Sequence, residues 1–193
     1  HCLVEARSRG YVVNSDVYEA QLDHLSQMVR GVNVDGVDLS QRLYAAYVLG
    51  AAGELERSAV SWLSQVNTME LKPYERFLLA GALGYGGEVD LARGLLPTAV
   101  QPHVFEPETG GSFNSGVRTD AILLLVMLQL DPNDASVVAL VQSLMERQRD
   151  GHWYATQDRA WALMALGRFF RMHEPGEVAF DVTVGADTMD MDI

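Results

Sequence analysis

Residues Asp38 to Gly53 read D-L-S-Q-R-L-Y-A-A-Y-V-L-G-A-A-G, and this stretch decides the fold class. Asp38 offers a short carboxylate to the free N–H groups of a first helical turn. Gln41, three residues on, completes the capping-box pattern. From Leu43 to Ala52 the segment is apolar around nearly its whole circumference. Gly53 tolerates the left-handed backbone that ends a helix. A helix that is apolar on all sides must be buried on all sides, so it needs neighbours around it.

Those neighbours are legible on both sides. Upstream, Val17 to Arg30 places Tyr18, Leu22, Leu25 and Val29 on one face, with Gln21, Asp23 and Gln27 elsewhere, and Asn14 or Ser15 can cap it. Downstream the two kinds of helix alternate. Leu55, Ala59, Trp62, Leu63 and Val66 make a one-sided stripe. Pro73 suits a helix start, where its missing N–H costs nothing. Phe77 to Leu83 is apolar all round and stops at Gly84. Val89, Ala92, Leu95 and Leu96 are one-sided and stop at Pro97. Ala121 to Leu128 is apolar all round and stops at Asp131-Pro132. Val137, Val138, Val141, Leu144 and Met145 are one-sided, and Ala160 to Leu166, before Gly167, is apolar all round. Cys2 to Ala6 reads as the end of another buried helix.

The order is buried, surface, buried, surface through about nine helices, a loose repeat of helical hairpins. An open solenoid usually leaves both helices of each pair one wet face. Fully apolar inner helices predict instead an αα-toroid, in which an inner barrel is ringed by amphipathic outer helices. The expected fold is therefore all-α, a partial toroid over residues 1–173. Residues 174–193 are expected to be a strand and an acidic tail: Val178, Phe180, Val182 and Val184 alternate within Glu177 to Val184, and Asp187 to Asp192 follows. One strand after nine helices predicts the start of a truncated β domain. Pro97 to Ser115, rich in Gly, Pro and polar residues, is a long loop of the kind that often carries function.

Composition narrows the function. The chain has 193 residues and a formal net charge of -12, so it is a poor match for nucleic acid or anionic lipid. Its longest apolar run, Ala121 to Leu128, is far shorter than the roughly 20 residues of a membrane span. Cys2 is the one cysteine, so an internal disulfide is excluded. His1, His24, His103, His152 and His173 show no zinc-binding spacing. His103 and Glu106 read as a solvated pair, and Gly110, Gly111 and Gly116 as a flexible turn, since they fit neither a P-loop nor a dinucleotide fingerprint. Neither metal nor cofactor is expected.

Residues Met145 to Phe170 read M-E-R-Q-R-D-G-H-W-Y-A-T-Q-D-R-A-W-A-L-M-A-L-G-R-F-F. A Gly-rich turn leading to Ala-Thr-Gln and an apolar helix resembles the end of the thioester domain of bacterial alpha-2-macroglobulins. The matching residues are Gly151, Trp153, Thr156, Gln157, Trp161, Leu163 and Leu166. Gly10-Tyr11-Val12-Val13 and Phe113 to Leu130, with Arg118 and Asp120 opening an apolar helix, are similar to the same family, so the resemblance runs from about Leu3 to Phe170. It implies an αα-toroid set in a β domain, a periplasmic or cell-envelope location, and proteases as partners of a longer parent. Family members trap a protease when bait cleavage exposes a Cys–Gln thioester. Cys2 is followed by Leu3, Val4 and Glu5, which is not Gly-Cys-x-Glu-Gln, so any thioester lies upstream. The implied role of this chain is a scaffold without catalytic residues, with Gly151, Trp153, Thr156, Gln157 and Trp161 structural. Trp153 is expected to pack on outer helices, Thr156 to cap the next helix, and Trp161 and Met164 to be core.

Two other readings stand beside it. Gln148, Gly151 and Trp153 resemble a partial element of terpene cyclases, which would make the chain a cyclase or prenyltransferase-like toroid enzyme. No aspartate-rich motif accompanies them. A tetratricopeptide-like interaction scaffold is the other, though the signature residues of that repeat are absent. As a piece of a longer protein, the chain is also expected to self-associate through apolar surface at the cut edge of the toroid, or to be marginally stable.

Overall fold

Asp38 and Gln41 form the expected capping box: the Asp38 carboxylate accepts from the Gln41 N–H at 2.8 Å, and the Gln41 side chain accepts from the Asp38 N–H at 3.0 Å. At the other end of the same helix Gly53 takes a left-handed conformation with φ of 78°. The computed structural model describes residues 1–32, 36–97, 115–148, 153 and 155–173. Among these residues there are nine helices: α1 (Cys2–Ser8), α2 (Ser15–Arg30), α3 (Leu39–Ala52), α4 (Arg57–Leu63), α5 (Pro73–Tyr85), α6 (Val89–Gly94), α7 (Gly116–Leu130), α8 (Ala135–Glu146) and α9 (Thr156–His173).

The helices build an all-α bundle. α3 packs on α5, α5 on α7 and α7 on α9, while α2, α6 and α8 lie against α3, α5 and α7 respectively. The inner helices run parallel. Ser40, near the start of α3, bonds to Tyr74 at the start of α5, and Ser115, the N-cap of α7, bonds to Asp158 in the first turn of α9. Their interiors are dry: Leu43, Leu78, Ile122, Leu123 and Leu124 have no exposed surface. Burying each such side chain contributes about 1.5–3 kcal/mol before the entropy of ordering it is subtracted.

Close approach between inner helices depends on a glycine. A Cβ built on Gly81 of α5 would lie 2.6 Å from the Tyr47 ring of α3 and 3.0 Å from Val126 of α7. Absence of a side chain there lets Tyr47, 1% exposed, lie across α5. The same stretch of backbone is pinned by Gln129, whose side-chain amide donates to the Gly81 carbonyl at 3.1 Å.

The partial toroid with a C-terminal strand is not what these helices form. In place of a ring segment they make a bundle whose first and last long inner helices meet, with the Tyr44 ring of α3 only 5.9 Å from Trp161 of α9. The physical reason lies in what all-round apolarity reports. It shows that a helix is surrounded, but it fixes neither the radius of the arrangement nor whether a lumen separates the members. Few inner helices carrying large aromatics fill the centre directly. No strand occurs among the described residues, and the expected strand at 177–184 and acidic tail lie outside them, as does nearly all of the loop expected at Pro97 to Ser115.

Two helix readings are also corrected. α1 buries only Val4, and Cys2 is exposed. α9 is not covered all round: Leu163 is 57% exposed and Phe170 43%, seven residues apart on one face. Its partners lie toward α7 and the Tyr44 side, which leaves that strip open.

Candidate functional site

Because α3, α5, α7 and α9 run parallel, their N-terminal ends gather in one layer. Each brings polar residues in its first turn or at its cap: Ser40 from α3, Glu75 from α5, Ser115 and Arg118 from α7, and Asp158 from α9. The free N–H groups and the dipoles of four helix starts make this end electropositive. Two buried carboxylates answer that potential. Glu75 accepts from the Ser40 hydroxyl, from the Tyr74 hydroxyl at 3.3 Å and from the Lys72 N–H at 2.8 Å. Asp158 accepts from the Ser115 hydroxyl, and the Ser115 oxygen in turn accepts from the Arg118 N–H at 3.0 Å. Among the described residues, Glu75 is therefore held by hydroxyls and a backbone N–H, and Asp158 by a hydroxyl.

Aromatic rings fill the space between these groups. Trp161 meets Tyr44, and the His1 imidazole packs edge-on to both, at 5.2 Å from Trp161 and 6.0 Å from Tyr44. Arg118 projects into the same layer, with its guanidinium carbon 5.3 Å from the centre of the Tyr74 ring and 5.7 Å from that of Trp161, within reach of a cation–π attraction. Burial pushes the Tyr44 phenol up, against the opposing pull of the Arg118 charge. Tyr74 is pushed up for the same reason, partly offset by its bond to Ser40. Neutral phenols beside a permanent cation supply hydrogen-bond donors and π-faces, not a base.

A second polar group lies on the flank. Asp120, 1% exposed, is paired with Arg147 at 3.0 Å and accepts from Ser143 at 3.3 Å, which ties α7 to the end of α8. An open groove of about 430 Å³ runs between the start of α5 and the end of α6, lined by Met69, Arg76, Phe77, Leu95 and Leu96. Its arginine already donates to the Thr68 carbonyl at 3.2 Å. Among the described residues no group of three or more His, Cys, Asp or Glu is placed to hold a metal ion.

The residues singled out by the resemblance divide. Trp153 is buried and its indole N–H donates to the Leu144 carbonyl of α8 at 3.0 Å, which anchors the α8–α9 connection on an outer helix. Trp161 is buried in the aromatic layer, and Met164 is half-buried. Thr156 is the first residue of α9 and is exposed, so it lies inside the helix and not at the cap expected of it; Gln157 is half-buried beside it. Gly151 lies outside the described residues. Only Trp161 of this set belongs to the polar layer. Ser40, Tyr74, Glu75, Ser115 and Asp158 were not anticipated as a group. Their one signal in the sequence is a polar residue at or near the start of each wholly apolar helix, and a capping role explains that equally well. Comparison with protein-family models, with curated proteins and with solved structures finds no match to this chain.

Proposed function

We propose that the chain is a helical scaffold from a bacterial alpha-2-macroglobulin-like protease-trapping protein of the periplasm or cell envelope, and that it contributes packing rather than chemistry to the trap. The reading rests on the stretch around Trp153, Thr156, Gln157 and Trp161. The observation that favours a scaffold is how that stretch is used. Trp153 and Trp161 are both 5% exposed, one bonded to α8 and the other packed among inner helices. The architecture does not enter the argument, because the bundle is not the toroid that the resemblance implied.

A cyclase-like enzyme needs a cavity in which acid groups face a substrate. The space between the inner helices is taken up by side chains, and the Glu75 and Asp158 carboxylates are bonded to serine hydroxyls. Proteases would be met by the whole parent. No helix among the described residues is long and apolar enough to cross a membrane.

The deciding experiment reads the coding sequence upstream of His1. A large β-rich region carrying Gly-Cys-x-Glu-Gln is the expected result and makes the parent a covalent trap. The same architecture without that motif makes it a non-covalent one. A start codon directly before His1 would overturn the proposal.

A further inference from the structure

Two consecutive helices turn apolar strips toward solvent. Val138 and Met145 of α8, and Leu163 and Phe170 of α9, each leave about half of their surface in water. In both helices the pair is seven residues apart, two turns along one face. Among the described residues no other helix has two exposed large apolar side chains on one face. Ala160, Leu163, Gly167 and Phe170 follow the three-four-three spacing of a helix-pairing seam. A Cβ at Gly167 would meet nothing closer than Arg171 at 3.7 Å, so the middle of the seam is open to a second helix. The strips differ in charge. α8 begins at its Asp134 cap and ends at Glu146, with no Lys or Arg in its length. On α9 the one acidic residue, Asp158, is buried, and the exposed charges beside the strip are Arg159 and Arg171. Asp134 stands four residues before Val138 and Glu146 one after Met145; Arg159 and Arg171 take the same places around Leu163 and Phe170. Each pair of charges therefore spans about 18 Å of helix. Among the described residues α9 is also the one inner helix without an outer helix along it, whereas α2, α6 and α8 lie against α3, α5 and α7.

We propose that the chain forms a two-fold dimer in which α8 of one copy lies along α9 of the other. A two-fold axis makes that contact twice, since α9 of the first copy then receives α8 of the second. Val138 and Met145 cover Leu163 and Phe170, and the face of α9 gains the outer helix that the other inner helices have. With the paired helices side by side and in the same direction, Asp134 stands level with Arg159 and Glu146 with Arg171, so the rims oppose by sign. Pairing α9 with α9 would set arginine beside arginine, and pairing α8 with α8 would set acid beside acid. The exposed rim charges select the partner helix, and the covered apolar strips supply the affinity. The surface is the outer faces of two consecutive helices rather than the cut edge of a toroid. The inference uses these faces alone and stands apart from the protease-trap reading.

The test is sedimentation velocity of the whole chain over a concentration series. A monomer–dimer equilibrium with nothing larger is expected. Val138→Asp and Leu163→Lys should each weaken dimerisation about tenfold or more. Both positions are exposed, so circular dichroism should show the wild-type helix content. Mixed together, the two variants should dimerise nearly as the wild type does. The mixed dimer has one unaltered α8–α9 contact and one in which the introduced charges attract. Met69→Asp, exposed but off both helices, should leave dimerisation unchanged. A measurement on the unmutated chain guards against a folding defect in the variants: amide hydrogen exchange should slow in α8 and α9 as concentration rises, and not in α2 or α6. A chain that is monomeric at every concentration would overturn the proposal and leave the strips to a partner of another kind. A dimer as strong in Leu163→Lys as in the wild type, an equal loss in Met69→Asp, a mixture that stays monomeric, or exchange in α8 and α9 that ignores concentration would each overturn it too. Open-ended oligomers would overturn the two-fold.

Discussion

Gly81→Ala should destabilise the protein even though alanine is the better helix former, because of how closely α3 and α5 approach. In a helix interior alanine is favoured over glycine by about 0.8–1 kcal/mol. Against that gain, the new Cβ would sit 2.6 and 2.7 Å from two carbons of the Tyr47 ring and 3.0 Å from a methyl of Val126. Comfortable carbon–carbon separation is about 3.5–4.0 Å. Tyr47 has little room to give way, since it is 1% exposed and packed against Tyr85 at 5.8 Å and His1 at 5.8 Å. Retreat of the α5 backbone would strain the bond from Gln129 to the Gly81 carbonyl. Contact from two sides puts the strain near the upper end of the about 1–3 kcal/mol typical of overpacking. The net cost is then about 2 kcal/mol, or roughly 4–8 °C in melting temperature for a chain of this size. Gly167→Ala is the internal control. Its Cβ would meet nothing closer than Arg171 at 3.7 Å, so only the propensity gain remains. That variant should melt about 2–4 °C higher than the wild type. Thermal unfolding followed by circular dichroism reads both. A Gly81→Ala chain as stable as the wild type would refute the close packing of Tyr47 across α5.

Three further outcomes follow from single contacts. Trp153→Phe leaves the Leu144 carbonyl without its indole donor and puts a smaller ring in a buried site, and should cost about 1–3 kcal/mol in urea unfolding. Asp134, the N-cap of α8, is held below the usual carboxylate range by the Ser136 side chain and N–H. Its contribution, about 0.5–1 kcal/mol for an exposed cap, is present above the unfolded-state value and lost as pH falls through the folded one. The stability gap between wild type and Asp134→Ala should therefore close in acid. Burial pushes the Tyr47 phenol far up, so its neutral form contributes fully below about pH 10 and the contribution is lost as pH rises further. Unfolding free energy should fall with pH in that range, and Tyr47→Phe should flatten that fall when urea unfolding is repeated at each pH.

Much of the local structure was legible because it depends on neighbours in sequence. Asp38, Gln41 and Gly53 mark the ends of α3 through short-range hydrogen bonding and backbone freedom, and Pro73 marks the start of α5 in the same way. The split between α3, α5 and α7, which are buried nearly all round, and α2 and α8, which are not, follows from counting apolar positions around each helix. Arrangement was not legible, since it depends on contacts between residues far apart in the chain. Leu163 shows the difference. Its setting in an apolar run predicts burial, yet it is 57% exposed because α9 has neighbours on only part of its circumference. Gly81 shows the converse. Within α5 it reads as a weak point in a helix, and its purpose is visible only once Tyr47 of α3 lies against it.

The polar layer was hidden for the same reason, and the parallel direction of the inner helices is what creates it. In an up-and-down bundle of adjacent antiparallel helices, starts and ends alternate at each face, so dipoles largely cancel. Here each inner helix is followed by an outer one that returns the chain, so every inner helix sets out from the same end. Positive potential accumulates there, and the residues that settle it come from four helices spread between Ser40 and Asp158. Two of them are carboxylates bound by hydroxyls, and one is an arginine whose guanidinium lies near the Tyr74 and Trp161 rings. A sequence can show that Ser40, Glu75 and Asp158 sit in first turns. That Arg118 of α7 lies within reach of the rings of Tyr74 on α5 and Trp161 on α9 is a property of the assembled layer, visible only once the three helix starts stand side by side.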